Sequence, residues 1–213
     1  MIENIHWLGH DSFRIDAEKI TYFDPWQLGE NLPQADLVLI THEHGDHCSP
    51  DDVAKIAGPE TVIVTNEASA EKLKGQPGQV RVVKPGDSLS ITGVRVEAVP
   101  AYNLNKFRSP GNPFHPKEAG HVGFIATLGS QRIYHAGDTD NIPEMDNLQV
   151  DIALLPVSGT YVMTAEEAAD AARRIAPQVA IPMHYGAGVA GTRADAERFT
   201  ELYDGQVIIL QQE

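Results

Sequence analysis

Thr41-His42-Glu43-His44-Gly45-Asp46-His47 is the stretch on which the reading of this chain turns. Three histidines and two carboxylates fall within six residues, directly after the apolar run Leu37-Val38-Leu39-Ile40. A short run of branched aliphatics reads as a buried strand, and Gly45 marks where the chain turns off it. His42 and His44 stand two residues apart, so an extended backbone would point both imidazoles the same way. Asp46 and His47 follow where the backbone bends, and can aim at a second point nearby. Borderline-soft divalent metals take this mixture of imidazole nitrogen and carboxylate oxygen. A lone loop histidine is ordinarily a polar surface residue, but four potential ligands at one strand end point to a metal site.

Working outward, other segments offer matching chemistry. Tyr134-His135-Ala136-Gly137-Asp138-Thr139 and Ile181-Pro182-Met183-His184-Tyr185 each place an acid or a histidine after an apolar run. Asp24-Pro25 ends the run Ile20-Thr21-Tyr22-Phe23, and Gly9-His10 forms an early turn. In this order, with His-x-His-x-Asp-His at 42–47, the sequence resembles the metallo-β-lactamase superfamily. It resembles most closely the small, cap-less metal-dependent hydrolases that include ascorbate-6-phosphate lactonase-like proteins. The resemblance spans nearly the whole chain and implies an α/β protein, the αββα four-layer sandwich of the metallo-β-lactamase fold.

The resemblance also implies two divalent metal ions, Zn2+ first, with Mn2+ or Fe2+ as alternatives. By that correspondence His42 and His44 belong to the first metal. Asp46, His47 and His184 belong to the second, and Asp138 bridges both. Relatives carry a further histidine after a strand that ends in a proline turn. Here that place reads Val99-Pro100-Ala101-Tyr102-Asn103, with asparagine instead. Either the first site is weakened or another histidine has taken over. His115, clamped between Pro113 and Pro116, and His121, at the start of a strand, are the candidates; Asn103 could itself coordinate through its amide oxygen or orient a water. Asp24 is expected to support a ligand from behind, fixing a histidine's ring orientation, and His10 either to do the same or to contact substrate. Along an extended segment His135 faces away from Asp138, so it reads as packed. His6 reads as packed or solvent-facing, Cys48 as a small filler, and Asp140 and Asp146 as helix-cap or surface carboxylates.

At 213 residues and 42% hydrophobic, the chain is long enough for one domain with a sizeable core, over residues 1–213. No apolar run approaches the roughly 20 residues that cross a bilayer. The first residues lack a secretory pattern, and the single cysteine excludes an internal disulfide, which suits a cytoplasmic protein. Net charge is −14, which argues against nucleic acid as the main partner. Bound cations can nevertheless reverse the local potential for a small anion. The oligomeric state is open, a homo-oligomer included.

Patterning predicts strands over 2–8, 12–16, 19–23, 61–65, 80–83, 88–91, 94–99, 122–128, 132–136, 151–157, 179–182 and 206–210. Helices are expected over 50–57, 67–74, 164–176 and 192–203. Ser49-Pro50 and Thr164-x-x-Glu167 are N-terminal cap signals. The segment 101–120 lacks periodicity, and loops of this length tend to be functional. It carries Lys106, Arg108 and Lys117, a basic cluster in an acidic chain. Tyr102, Asn103 and Lys106 in this loop, and Tyr185 beside His184, are candidate substrate contacts. The expected function is a hydrolase in which the metal pair makes a water reactive, with Asp46 and Asp138 orienting it or carrying its proton. The expected substrate is a small anionic ester, lactone or phosphoester. A nucleic-acid phosphodiesterase on the same scaffold, or a non-catalytic metal- or ligand-binding protein, are the alternatives.

Overall fold

The computed structural model describes residues 2–146 and 148–213. β1 (Ile5–Gly9), β2 (Ser12–Asp16) and β3 (Ile20–Phe23) form an antiparallel meander. β4 (Leu37–Ile40) joins β3 in parallel. α1 (Pro50–Ile56) leads to β5 (Val62–Thr65), and α2 (Glu67–Lys72) to β6 (Gln79–Val82), completing a six-stranded sheet in the order β1 to β6. The second sheet begins with β7 (Ser88–Ile91) and β8 (Val94–Pro100). A small hairpin, β9 (Phe107–Ser109) and β10 (Asn112–Pro113), intervenes before β11 (Val122–Leu128) and β12 (Gln131–His135). β13 (Ile152–Pro156), α3 (Ala165–Ile175), β14 (Val179–Met183) and α4 (Arg193–Leu202) follow. Its strand order is β14-β13-β12-β11-β8-β7.

Residues on β4 show why the layers form. Leu37 and Leu39 join the core shared by both sheets, whereas Val38 and Ile40 pack with Val53 and Ile56 of α1. The two-residue period of a strand thus sends alternate side chains to opposite faces, both covered. Each fully buried aliphatic contributes roughly 1.5–3 kcal/mol. On the far side, α3 lays Ala168, Ala169, Ala171, Ala172 and Ile175 against the second sheet. This is the expected αββα sandwich. The cap signals hold: Ser49 accepts from Asp52 N, and Thr164 and Glu167 form a reciprocal capping box.

Three expectations are corrected. Ile2–Asn4 is a 3-10 turn, and the strand starts at Ile5. Residues 206–210 make no strand: the run is half-buried against the core edge, with one isolated bridge from Val207 to Ala180. The 101–120 loop contains the β9–β10 hairpin, tied by Phe114 N to Lys106 O, and a 3-10 turn at Lys117–Ala119. Among the described residues no helix is long and apolar enough to cross a membrane.

Candidate metal centre

The strands β3, β4, β8, β12 and β14 deliver their C-terminal ends to one edge of the sandwich, where open α/β sheets place ligands. Three non-glycine residues there hold left-handed backbone: His10 (φ 52°), Asp24 (φ 40°) and His184 (φ 60°). Such conformations cost on the order of 1–3 kcal/mol each and persist where surroundings impose them. Gly137, with φ 62°, lets the chain pass Thr41 closely; a Cβ there would lie 3.0 Å from the Thr41 methyl.

Asp138 is the centre of the arrangement. Its Oδ2 lies 3.2 Å from His115 Nε2 and 3.9 Å from His42 Nε2, and its Oδ1 lies 3.3 Å from both His47 Nε2 and His184 Nε2. His44 Nδ1 lies 3.0 Å from His42 Nε2 and 3.2 Å from His115 Nε2. On the other side His10 Nε2 lies 3.2 Å from Asp46 Oδ2, which is 3.8 Å from His47 Nε2. The donors form overlapping sets that could each hold a cation: His42, His44, His115 and Asp138; His10, Asp46, His47 and His184; and Asp11, His47, Asp138 and His184. His10, expected behind the ligands or against substrate, has a nitrogen within the second set.

Four of these imidazoles are held at Nδ1 by a neighbour, which leaves Nε2 toward Asp138. His47 Nδ1 donates to Asp24 Oδ2 at 2.8 Å, and Asp24 also accepts from Thr41 N and Oγ1. Since Thr41 Oγ1 gives its proton to Asp24, it accepts from His42 Nδ1, 3.0 Å away. Ser158 Oγ lies 2.7 Å from His184 Nδ1. Asn103 Oδ1 accepts from both His115 N (2.8 Å) and His115 Nδ1 (3.0 Å). Such supports fix tautomer and ring direction.

The asparagine at the expected histidine position therefore faces His115. Its oxygen is saturated by His115, and its amide donates to Asp140 Oδ1 and Tyr161 O. His121 lies outside the donor sets and pairs with Glu43 at 3.2 Å. Asp140 is buried rather than superficial, accepting from Leu104 N and Asn105 N at the start of the loop. Asp146 pairs with Arg174. His135 is packed as expected, stacked on Phe23 and 2.8 Å from Asp11 O. His6 pairs with Asp16 and Glu213. Cys48 is buried beneath α1 in the outer cluster, its thiol pushed up to about 11 by burial.

Several expected substrate contacts are not brought to the cavity, an opening of about 410 Å3 lined by His44, Asp46, Arg108, Phe114, Asp138 and Tyr161 among others. Tyr102 is buried, with its hydroxyl donating to Glu144. Tyr185 packs its ring on Trp7, 4.8 Å between centroids. Lys106 reaches back to Glu167 at 2.7 Å and Asp140 at 3.5 Å, and Lys117 pairs with Glu144. Carboxylates of neighbouring segments capture these side chains, which the linear order of the loop does not reveal. Asp11 and Ser158 were missed. Asp11 adjoins His10 in the early turn, but Ser158 carries no sequence signal.

Electrostatics divide the centre in two. Burial pushes the Asp138 carboxyl up, but His184, His47 and His115 outweigh it and hold the group well below the usual carboxylate range. Burial would depress His47, yet Asp138 and Asp24 lift it well above its ordinary value; Asp138 and Asp11 likewise raise His184 to about 9. Across the centre burial prevails, lowering His42 and His44 and bringing His115 to about 4. Asp46 ends below its usual range because His10 and His47 overcome its burial. Burial pushes Asp11 up to about 8.

Paired sheets with converging imidazoles and carboxylates at their strand ends define a metallo-hydrolase of the beta-lactamase class. The sequence pattern described as "Beta-lactamase superfamily domain" matches residues 4–184, and the chain belongs to that superfamily and to its UPF0173 metal-dependent hydrolases. It is 34% identical over 212 residues to the UPF0173 metal-dependent hydrolase of Thermoplasma acidophilum, covering 93% of this chain and 89% of the relative. Identity to the Pyrococcus abyssi protein of the same description is 33%, over 97% and 96% of the two chains. A crystal structure from Parabacteroides distasonis assigned to the metal-dependent hydrolases superposes with a TM-score of 0.84 at 35% identity, covering 98% of this chain and 93% of that one.

Proposed function

We propose that the centre holds two divalent cations and hydrolyses a small ester, lactone or phosphoester. The observation that carries this reading is the set of buried polar atoms without a hydrogen-bond partner among the described residues. His47 Nε2, His184 Nε2 and Asp138 Oδ1 are all fully shielded and aimed at one another. Orphaned groups of this kind are costly unless something fills the gap between them, and a cation fits nitrogen and carboxylate donors of this type. His42, His44 and His115 would hold one ion and His47, His184 and Asp46 the other, with Asp138 between them and His10 beside Asp46. When bound, such a pair supplies Lewis acidity and eases removal of a proton from water.

The protein's own groups do the rest. Asp46 is partly exposed at the cavity and stays ionised, so it can accept a hydrogen bond from an attacking water and orient it. Asp138 fixes the spacing of the two histidine groups. The cavity lining includes no serine, threonine, cysteine or lysine among the described residues, so none of those four nucleophile types faces the substrate. A non-catalytic reading would draw on Asn103 standing where relatives carry a histidine; against it, His115 Nε2 lies 3.2 Å from Asp138 and supports a donor there.

Protein purified without chelators should contain two equivalents of metal by elemental analysis. It should hydrolyse members of a panel of 4-nitrophenyl esters, lactones and phosphoesters, with activity lost to chelator and restored by Zn2+ or Mn2+. One equivalent or less, with no turnover on any of the three classes, would sink the reading. Asn103→Ala removes the cradle of His115 and should weaken the affinity of one ion by roughly 10–100-fold. Competition with a chromogenic chelator measures this, and two unchanged affinities would show that Asn103 has no orienting role.

A further inference from the structure

Of the three basic residues in the 101–120 loop, only Arg108 faces the cavity without a counter-charge. Lys106 and Lys117 are neutralised by Glu167 and Glu144, whereas Arg108 makes no ion pair among the described residues. In a chain of net charge −14, Lys72, Arg81 and Lys84 likewise make no ion pair among the described residues, but none of them lines the cavity, so Arg108 is the unpaired cation placed at it. Its position is also built. The guanidinium lies over the Phe114 ring, 5.4 Å from the centroid, and Phe114 meets Tyr161 edge-on at 4.8 Å. Both rings line the cavity with Val189. Phe114 immediately precedes His115, so the stack is fixed to the donor cluster itself.

We infer that Arg108 is the anion receptor of this site and determines its specificity. Resting on the hydrolytic reading above, the preferred substrate carries a carboxylate or phosphate at one end, a flat or apolar body against Phe114, Tyr161 and Val189, and the scissile bond over Asp138. A guanidinium offers a planar fork that matches the oxygens of either anion. The aromatic face beneath it limits the rotamer freedom lost on binding. Volume agrees, since about 410 Å3 lies within the range of small-molecule sites.

The test uses the metal-loaded full chain and phenylphosphonate, a non-hydrolysable anion with an aromatic body. Calorimetric titration should give a dissociation constant about tenfold weaker for Arg108→Ala, as expected for the loss of one charge-assisted contact. Arg108→Lys should fall between the two, because it keeps the charge without the fork. In hydrolysis, the preference in kcat/KM for mono(4-nitrophenyl) succinate over 4-nitrophenyl acetate should fall in Arg108→Ala by a similar factor, chiefly through KM. Equal phosphonate binding by wild type and Arg108→Ala overturns the proposal even where ester hydrolysis persists. Weakened phosphonate binding without hydrolysis of either ester supports the receptor and counts against the hydrolytic reading instead.

Discussion

Asp138→Ala is expected to lower hydrolysis by roughly a thousandfold or more, the scale on which loss of a preorganised charge-stabilising group is felt, and to bring bound metal below two equivalents. The carboxylate is almost wholly buried, with one oxygen toward His115 and the other toward His47 and His184. Among the described residues the neighbouring carboxyls are poor replacements: Asp46 faces His10, Asp24 is occupied by Thr41 and His47, and Asp11, though beside His47 and His184, is pushed up to about 8 by burial. Removing it also removes one of the charges that hold His47 and His184 high, so both should titrate lower in the metal-free variant, visible by NMR. Asp138→Asn keeps the volume without the charge and separates packing from electrostatics. Activity in Asp138→Ala close to that of wild type would show that the two histidine groups work without a shared carboxylate.

Loading the metal-free protein at pH 7 should release two to three protons, one each from His47 and His184 and up to one from Asp11, which burial pushes up to about 8 beside them. Both histidines lie above neutrality in the absence of a cation, His184 at about 9. His42, His44 and His115 are already neutral, and Asp46 and Asp138 are already ionised, so none of these has a proton to give. Affinity at the second group should therefore strengthen by about tenfold per proton for each pH unit between 7 and the folded pKa values. The sign for stability is the reverse. In the metal-free protein the raised His184 contributes stability that is full below its ordinary value of 6.5 and is lost as pH rises through about 9. Calorimetry in buffers of different protonation enthalpy gives the proton count. A count near zero would mean that the second group is already neutral and that the charge division described above is wrong.

Much of the centre was legible because strand periodicity and turn chemistry act locally. The run 37–40 reads as a strand from its aliphatics, and its end at Ile40 puts His42, His44, Asp46 and His47 on the following bends. Asp24, Asp138 and His184 were legible in the same way, each following a β-run that the sequence marks. Where the reading failed, the competing physics was non-local. Lys106 is a basic loop residue in sequence and a half-buried partner of Glu167, sixty-one residues away, in the fold. Tyr185 follows a candidate ligand in sequence, but the left-handed turn at His184 leaves its ring on Trp7.

By itself, then, the chain's order of residues determined a mixed set of strands and helices and the acids and histidines at strand ends, which follow from short-range patterning, while the αββα layering entered as what the resemblance implies. Only the tertiary structure brought His115 rather than His121 beside Asp138, set Asn103 against His115, and singled out Arg108 from its basic neighbours. Those outcomes depend on which distant carboxylate or carbonyl lies within about 3 Å, the range over which hydrogen bonds and close ion pairs act. Separation along the chain carries no such information.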